Sequence, residues 1–385
     1  DIYVLNTCSV TENADKEARK LIRRAKRRNP DSSIAVIGCY AQLNPNEIAQ
    51  IPGVSFVVGA EEKFNLVSQI EAHNFHDDPI ILNSKIEKVE QFIPSYSMGE
   101  RTRSILKIQD GCDYNCSFCT IPLARGRSRS SSISKTLSQA IEIGKTAVRE
   151  IVLTGVDLTS YGNDLYGKPK LGGLVKEILK KVKNLDRLRL SSLDAIEIDK
   201  YLIDIIRYEE RLMPHLHLSI QSGDNIILKR MKRRHLREDV INLCNNLKKF
   251  RSNIVFGADI IAGFPTETDR MFLNSKKILT ECDLTYLHIF PYSNRQNTPA
   301  SRMPQLSNKI VKERARILRT EANKILQIFL KKQVNKKHKI LFESEREGHS
   351  ENFIPIKTVT KHRVGEIITV KGKNIVDGKL ISQVM

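Results

Sequence analysis

Cys112, Cys116 and Cys119 form a C-x3-C-x2-C run within QDGCDYNCSFCTIP. Thiolates are soft ligands, and three so close in the chain can hold a metal centre. A 4Fe-4S cluster normally takes four cysteines, so a three-cysteine loop leaves one iron free to bind something other than protein. With 7 cysteines in 385 residues, random placement yields this spacing only ~0.002 times per chain. Structural zinc is the competing reading, but zinc takes four ligands, and no histidine lies between His76 and His215 to supply a nearby fourth. A disulfide would leave one thiol over, and a cytosolic thiol would stay reduced.

Such a loop needs a scaffold. From about residue 101 the chain repeats a strand-then-helix unit, with strands read at 104–110, 150–155, 187–193, 215–220, 254–263 and 284–290. Helical patterns follow, clearest at 134–147, 171–183, 237–250 and 268–281. This alternation predicts a parallel sheet with right-handed crossovers. Six units suit a partial (β/α)6 barrel, and the same pattern also fits an open doubly wound sheet. The strand ends carry the least core-like residues: Thr154 and Gly155, Ser191 and Ser192, Gln221 and Ser222, then Gly263 to Glu267. In a βα-barrel that rim is where active sites are built. Glycines there admit a ligand to the backbone, and hydroxyls and amides can bind a ribose or an amino-acid head group. Phe118, between two of the cysteines, could pack on an adenine ring. Read more plainly, the segment from Gly263 to Thr266 is a turn, with Thr266 capping the next helix and Asp269 completing a capping-box-like pair.

Residues 1–75 read as an open α/β domain, with apolar runs at 2–7, 33–39 and 55–60 and a basic helix over 14–29. Cys8 and Cys39 fall at the carboxyl ends of two of these strands, where such sheets place ligands. The chain opens on Asp1 with a strand already under way, so an amino-terminal segment is expected upstream. Residues 76–100 lose periodicity and read as a linker; 101–330 is the barrel domain. Residues 307–335 form a long basic helical stretch, and 331–385 reads as a small β-barrel of short strands with glycine turns.

The chain carries 63 basic and 44 acidic residues, a net +19. Such an excess suits a polyanionic partner, because phosphates neutralised by Lys or Arg release counterions. Apolar runs are too short and too polar to span a bilayer, and no signal-type segment opens the chain, so the expectation is a cytoplasmic protein with no membrane partner. Arg125, Arg127 and Arg129 follow the cysteine loop and could grip phosphates or a carboxylate as forks. Cys244 and Cys282 sit in helical patterns that favour ordinary burial. His215, His217, His235 and His288 read as interior or core groups rather than catalysts.

The CDYNCSFC loop resembles the signature of the radical S-adenosylmethionine (SAM) enzymes. NTCSVTENA, IGCYAQ, CTIPLARGRSRS, HLHLSIQSGDNIILKRMKRRH, DIIAGFPTET and HIFPYSNRQNTPA are similar, in order and spacing, to the methylthiotransferases, over nearly the whole chain. LARGRSRS looks most like the branch acting on threonylcarbamoyladenosine in tRNA. The resemblance implies two 4Fe-4S clusters. Cys112, Cys116 and Cys119 would hold the one that binds SAM and generates a 5′-deoxyadenosyl radical, which takes hydrogen from C2 of the modified adenosine beside the anticodon. Cys8 and Cys39 match the second and third cysteines of an auxiliary cluster that carries the transferred sulfur, the first being expected upstream of Asp1. It further implies a TRAM-like terminal barrel that helps bind the tRNA anticodon arm, and an electron donor such as flavodoxin or ferredoxin. Two alternatives are an isopentenyladenosine or ribosomal-protein aspartate substrate, and a non-catalytic iron-sulfur RNA-binding or redox-sensing protein.

Overall fold

The structure, a computed structural model, describes residues 1–72, 78–97 and 102–384. Two expected boundaries, at 75/76 and 100/101, fall at or beside residues outside that set. The chain forms two compact units, one of Asp1–Gln91, Gly111–Arg129 and Ser293–Met303, the other of Phe92–Asp110, Ser130–Tyr292 and Pro304–Met385.

The first unit is built on a parallel sheet of Ile2–Thr7, Ser33–Gly38, Val54–Val58 and Ile80–Leu82, paired in chain order. The helix Glu12–Arg28 starts where the Thr11 hydroxyl accepts from the Ala14 amide at 3.2 Å. It buries Ala18 and Ile22 in the core with Ile34 and Val36, while Arg23, Arg24, Arg27 and Arg28 stay exposed. Ile80–Leu82 lies in the stretch read as a linker. Three residues are too few to display an alternating pattern, and only pairing with Val54–Val58 makes them a strand.

In the second unit six strands run parallel in chain order: Arg103–Lys107, Glu150–Thr154, Arg187–Leu190 with its continuation Ser192–Leu193, His215–Gln221, Val255–Ala262 and Leu284–Pro291. A doubly wound sheet needs a point where strand order reverses. None exists among these six, so the arrangement is the singly wound partial barrel. Ser95–Tyr96 adds an antiparallel edge strand. Leu188, Leu190, Leu216, Leu218, Ile220, Phe256 and Ile260 share one core with residues of the surrounding helices, Cys244 and Cys282 included. Period-2 alternation turns the remaining strand residues to the lumen.

The helix Asn308–Lys331 leads to a closed five-stranded barrel of Lys337–Phe342, Glu347–Ser350, Pro355–Thr358, Ile367–Val376 and Lys379–Val384, filled by Ile340, Phe342, Ile356, Val370 and Leu380. One of its loops presents Phe353, which stacks on His215 at 5.2 Å between ring centroids and lies under the guanidinium of Arg189 at 4.9 Å.

Candidate active site

In the first unit the cysteine loop opens at Gly111, whose φ of +72° puts a virtual Cβ 1.9 Å from the Arg127 carbonyl oxygen. Only glycine fits there. The Cys112 amide donates to the Gly126 carbonyl at 3.1 Å, the Cys119 amide to the Cys116 carbonyl at 3.0 Å, and the Ala300 amide to the Ser117 carbonyl at 2.8 Å. Two further amides aim at sulfur: Tyr114 N to Cys112 Sγ and Ile121 N to Cys119 Sγ, both 3.4 Å. Amide donors favour the thiolate, the form that ligates iron. None of the seven cysteines is paired in a disulfide. The donor set therefore fits a cluster held by three cysteines. Phe118 is half-buried in the same loop.

Cys8 and Cys39 each follow the last residue of neighbouring parallel strands, and Thr7 is in register with Gly38. That register sets the two cysteines side by side at the carboxyl edge of the sheet. Gly38, at φ +99°, allows the approach, since a Cβ would lie 2.5 Å from the Thr7 carbonyl oxygen. Cys39 begins the helix Cys39–Leu43 rather than ending its strand. The chain after Cys8 is held by a buried ion pair: Arg295 Nη2 lies 2.7 Å from Asp15 Oδ2 and donates to Ser9 Oγ at 2.6 Å.

The three arginines after the cysteine loop separate by burial. Arg127 is exposed. Arg129 is buried, and its Nη1 donates to the carbonyls of Arg125 at 2.9 Å and Arg127 at 2.7 Å. It braces the segment instead of facing a solvent-borne phosphate. Arg125 Nε donates to Cys39 Sγ at 3.3 Å.

In the second unit the rim residues also divide. Gly155 packs against Gln109, where a Cβ would meet Oε1 at 2.9 Å, and that same oxygen accepts from the amides of Val156 and Asp157 at 2.9 Å. Thr154, Ser191 and Ser192 are half-buried at the strand ends. Ser191 Oγ is buried without a hydrogen-bond partner. Gln221 sits at φ +69°, beyond a register shift between Leu218 and Gln221, the kind of strained strand end found where a side chain is re-aimed. Ser222, by contrast, is turned inside: its hydroxyl meets Ser275 Oγ at 3.1 Å and accepts from the Asp224 amide at 3.2 Å. Gly263, at φ +73°, leaves room for Val311. Thr266 is not the helix cap. Thr268 takes that place, accepting from Met271 N at 3.4 Å, while Thr266 lies at φ +67° and its hydroxyl accepts from Arg230 at 2.8 Å.

Three polar groupings escaped the sequence reading. His217 Nε2 and His288 Nδ1 both meet Asp259 Oδ1, at 3.0 and 3.2 Å, on adjacent strands in the lumen. Burial alone would raise the Asp259 carboxyl, but hydrogen bonds from the two imidazoles outweigh it and bring it down to about 2. The bond to Asp259 raises His288. His215, one step deeper, is packed by rings rather than hydrogen-bonded, and burial takes it down to about 3. His235 is a buried core group bonded to the Ile220 carbonyl at 3.1 Å. Glu267 pairs with Arg314 at 2.7 Å and accepts from the Gly263 amide at 3.1 Å, yet burial still pushes it up to about 7. Glu150 is enclosed by arginines at the base. The available signal was a charge inside an otherwise apolar strand, as in EIVLT or VFGADIIA.

Comparison with known proteins accords with this geometry. The Radical SAM superfamily matches residues 106–279, and uncharacterized protein family UPF0004 matches residues 1–59. Among solved structures, the radical S-adenosylmethionine methyltransferase TsrM from Kitasatospora setae superposes with a TM-score of 0.57, at 15% identity, over 78% of this chain and 63% of that one. At that identity the likeness is one of fold, and the class is that of a radical SAM protein. Threonylcarbamoyladenosine tRNA methylthiotransferase MtaB of Rickettsia prowazekii is 45% identical over 98% of this chain and 89% of that protein. The MtaB of Bacillus subtilis is 36% identical over 96% of this chain and 85% of that protein. A tRNA-2-methylthio-N(6)-dimethylallyladenosine synthase of Ehrlichia canis is 30% identical over 93% and 82%. The chain belongs to the radical SAM methylthiotransferase family, enzymes that transfer sulfur-containing groups.

Proposed function

We propose that this chain adds a methylthio group to C2 of N6-threonylcarbamoyladenosine at position 37 of tRNA. The observation that carries the reading is the 45% identity, over 98% of the chain, to a relative bearing that activity in its name. The cysteine arrangement supports it. Cys112, Cys116 and Cys119 hold the SAM-binding 4Fe-4S cluster, and Cys8 and Cys39 supply ligands to a second one. When bound, the first cluster and SAM supply a carbon radical strong enough to take hydrogen from an unactivated C–H bond.

The protein's part is to bind and orient. Gln109 fixes the Val156 and Asp157 amides beside Gly155, leaving Thr154, Ser191, Ser192, Gln221 and Gly263 as the second unit's candidates to contact SAM. In the first unit the candidate to pack on adenine is Phe118. Arg127 is the exposed fork for an anticodon-arm phosphate or the threonyl carboxylate. The terminal barrel acts as a TRAM-like tRNA-binding module, in keeping with the +19 charge. The electron donor is a small carrier such as flavodoxin or ferredoxin, and the setting is cytoplasmic. Among the described residues no helix is long and apolar enough to cross a membrane.

Reconstituted protein, SAM, dithionite and tRNA carrying threonylcarbamoyladenosine should yield the 2-methylthio nucleoside by mass spectrometry. Product only on dimethylallyladenosine tRNA, or only on protein, would overturn the substrate. Cys116→Ala should abolish 5′-deoxyadenosine formation; a variant that still forms it would remove the cluster assignment.

A further inference from the structure

Arg125 was expected to face the substrate, yet in the first unit its Nε donates to Cys39 Sγ at 3.3 Å. We propose that Arg125 is a positioning residue for the second cluster, tuning its reduction potential through a charge-assisted N–H···S bond to the ligand Cys39. The inference rests on the two-cluster reading of the preceding section.

Several features place the guanidinium there. Arg125 ends the helix Ile121–Arg125, which packs against the helix that Cys39 begins. Gly126, at φ +71°, turns the chain back immediately afterwards. The Cys112 amide is tied to the Gly126 carbonyl, and buried Arg129 clamps the carbonyls of Arg125 and Arg127. The guanidinium is thus held on Cys39 by the segment that closes the other cysteine loop.

The sign follows from charge. Reduction adds an electron to a cluster already ligated by thiolates. A fixed positive charge and a hydrogen bond to ligand sulfur favour that more negative state, and such bonds are among the levers that set cluster potentials. Arg125 therefore raises the potential of the second cluster and makes it easier to reduce.

The test uses full-length holoprotein, with any segment that precedes Asp1 included, lacking the first cluster through Cys112→Ala, Cys116→Ala and Cys119→Ala, so that one cluster alone reports. Iron content and an EPR-monitored redox titration are compared for this parent, Arg125→Ala, Arg125→Gln and Arg125→Lys. The expected result is unchanged iron with a lower midpoint in the Ala and Gln variants, about a tenfold fall in the ratio of reduced to oxidised cluster at fixed potential, or 59 mV for one electron. Lys, which keeps the charge, should recover part of it. A purely structural arginine would alter iron content and leave the midpoint alone. Should Ala lose iron, Gln decides, and parent-like midpoints in the iron-bearing variants would overturn the inference. A parent without any cluster would instead overturn the two-cluster reading, and this inference with it.

Discussion

Arg189 holds Glu150 at two points on adjacent parallel strands, Nε to Oε1 at 2.8 Å and Nη2 to Oε2 at 3.2 Å. Arg103 Nε reaches the same carboxylate at 3.0 Å and Arg187 at 3.9 Å. Burial would raise the Glu150 carboxyl, but the three guanidiniums keep it below the usual carboxylate range. Glu343 also pairs with Arg103, but removing Glu150 takes away the carboxylate that Arg103, Arg187 and Arg189 share and leaves their buried positive charges facing one another. Glu150→Ala should therefore cost about 3–5 kcal/mol in chemical denaturation. Glu150→Gln, which keeps the shape, should lose a large part of the same amount. Native-like stability in both would mean that the cluster is not a structural keystone.

Gly111→Ala tests the start of the cysteine loop. The added methyl would overlap the Arg127 carbonyl oxygen, and that backbone cannot yield without moving the loop. On the proposed assignment of Cys112, Cys116 and Cys119 to the first cluster, the expected outcome is loss of that cluster's iron, with far-ultraviolet circular dichroism unchanged. Full iron occupancy would contradict it.

Phe353 joins the terminal barrel to the base of the parallel barrel. It stacks on His215 and on His349, at 5.2 and 4.6 Å, and lies 4.9 Å from the Arg189 guanidinium. At about 0.5–1.5 kcal/mol per aromatic contact, Phe353→Ala should destabilise the protein by about 2 kcal/mol. Faster proteolysis of the terminal barrel should accompany it, and unchanged protease resistance would argue against that junction.

Asp259 and His288 predict opposite pH limbs. The Asp259 carboxyl lies at about 2 in the fold against 3.8 ordinarily. Its stabilisation is present above 3.8 and is lost as pH falls through about 2. His288 is raised above 6.5, so its share is present below 6.5 and fades as pH rises through the higher folded value. The acid limb amounts to about 2 kcal/mol. Melting temperatures of Asp259→Asn from pH 2 to 8 should show both limbs flattened relative to the parent.

Much of this was legible in the chain. The cysteine spacing, the helix and strand periods from 101 onward and the basic helix near the start are local patterns, and local patterns survive in a sequence. Ile80–Leu82 was hidden because pairing, not periodicity, makes it a strand. Thr266 looked like a cap because of its residue type, yet its backbone adopts φ +67° and the cap falls to Thr268.

Residue types and their order are enough to say which side chains could ligate iron, and that six βα units follow one another. Which groups those side chains meet depends on how distant segments pack. Arg125 and Cys39 are 86 positions apart, as remote in the chain as any unrelated pair, and come together because two short helices pack. Arg125 and Arg129 likewise share a type and a basic run, but one turns to a thiol and the other to backbone carbonyls. Burial and packing set those directions, and neither is written in residue spacing.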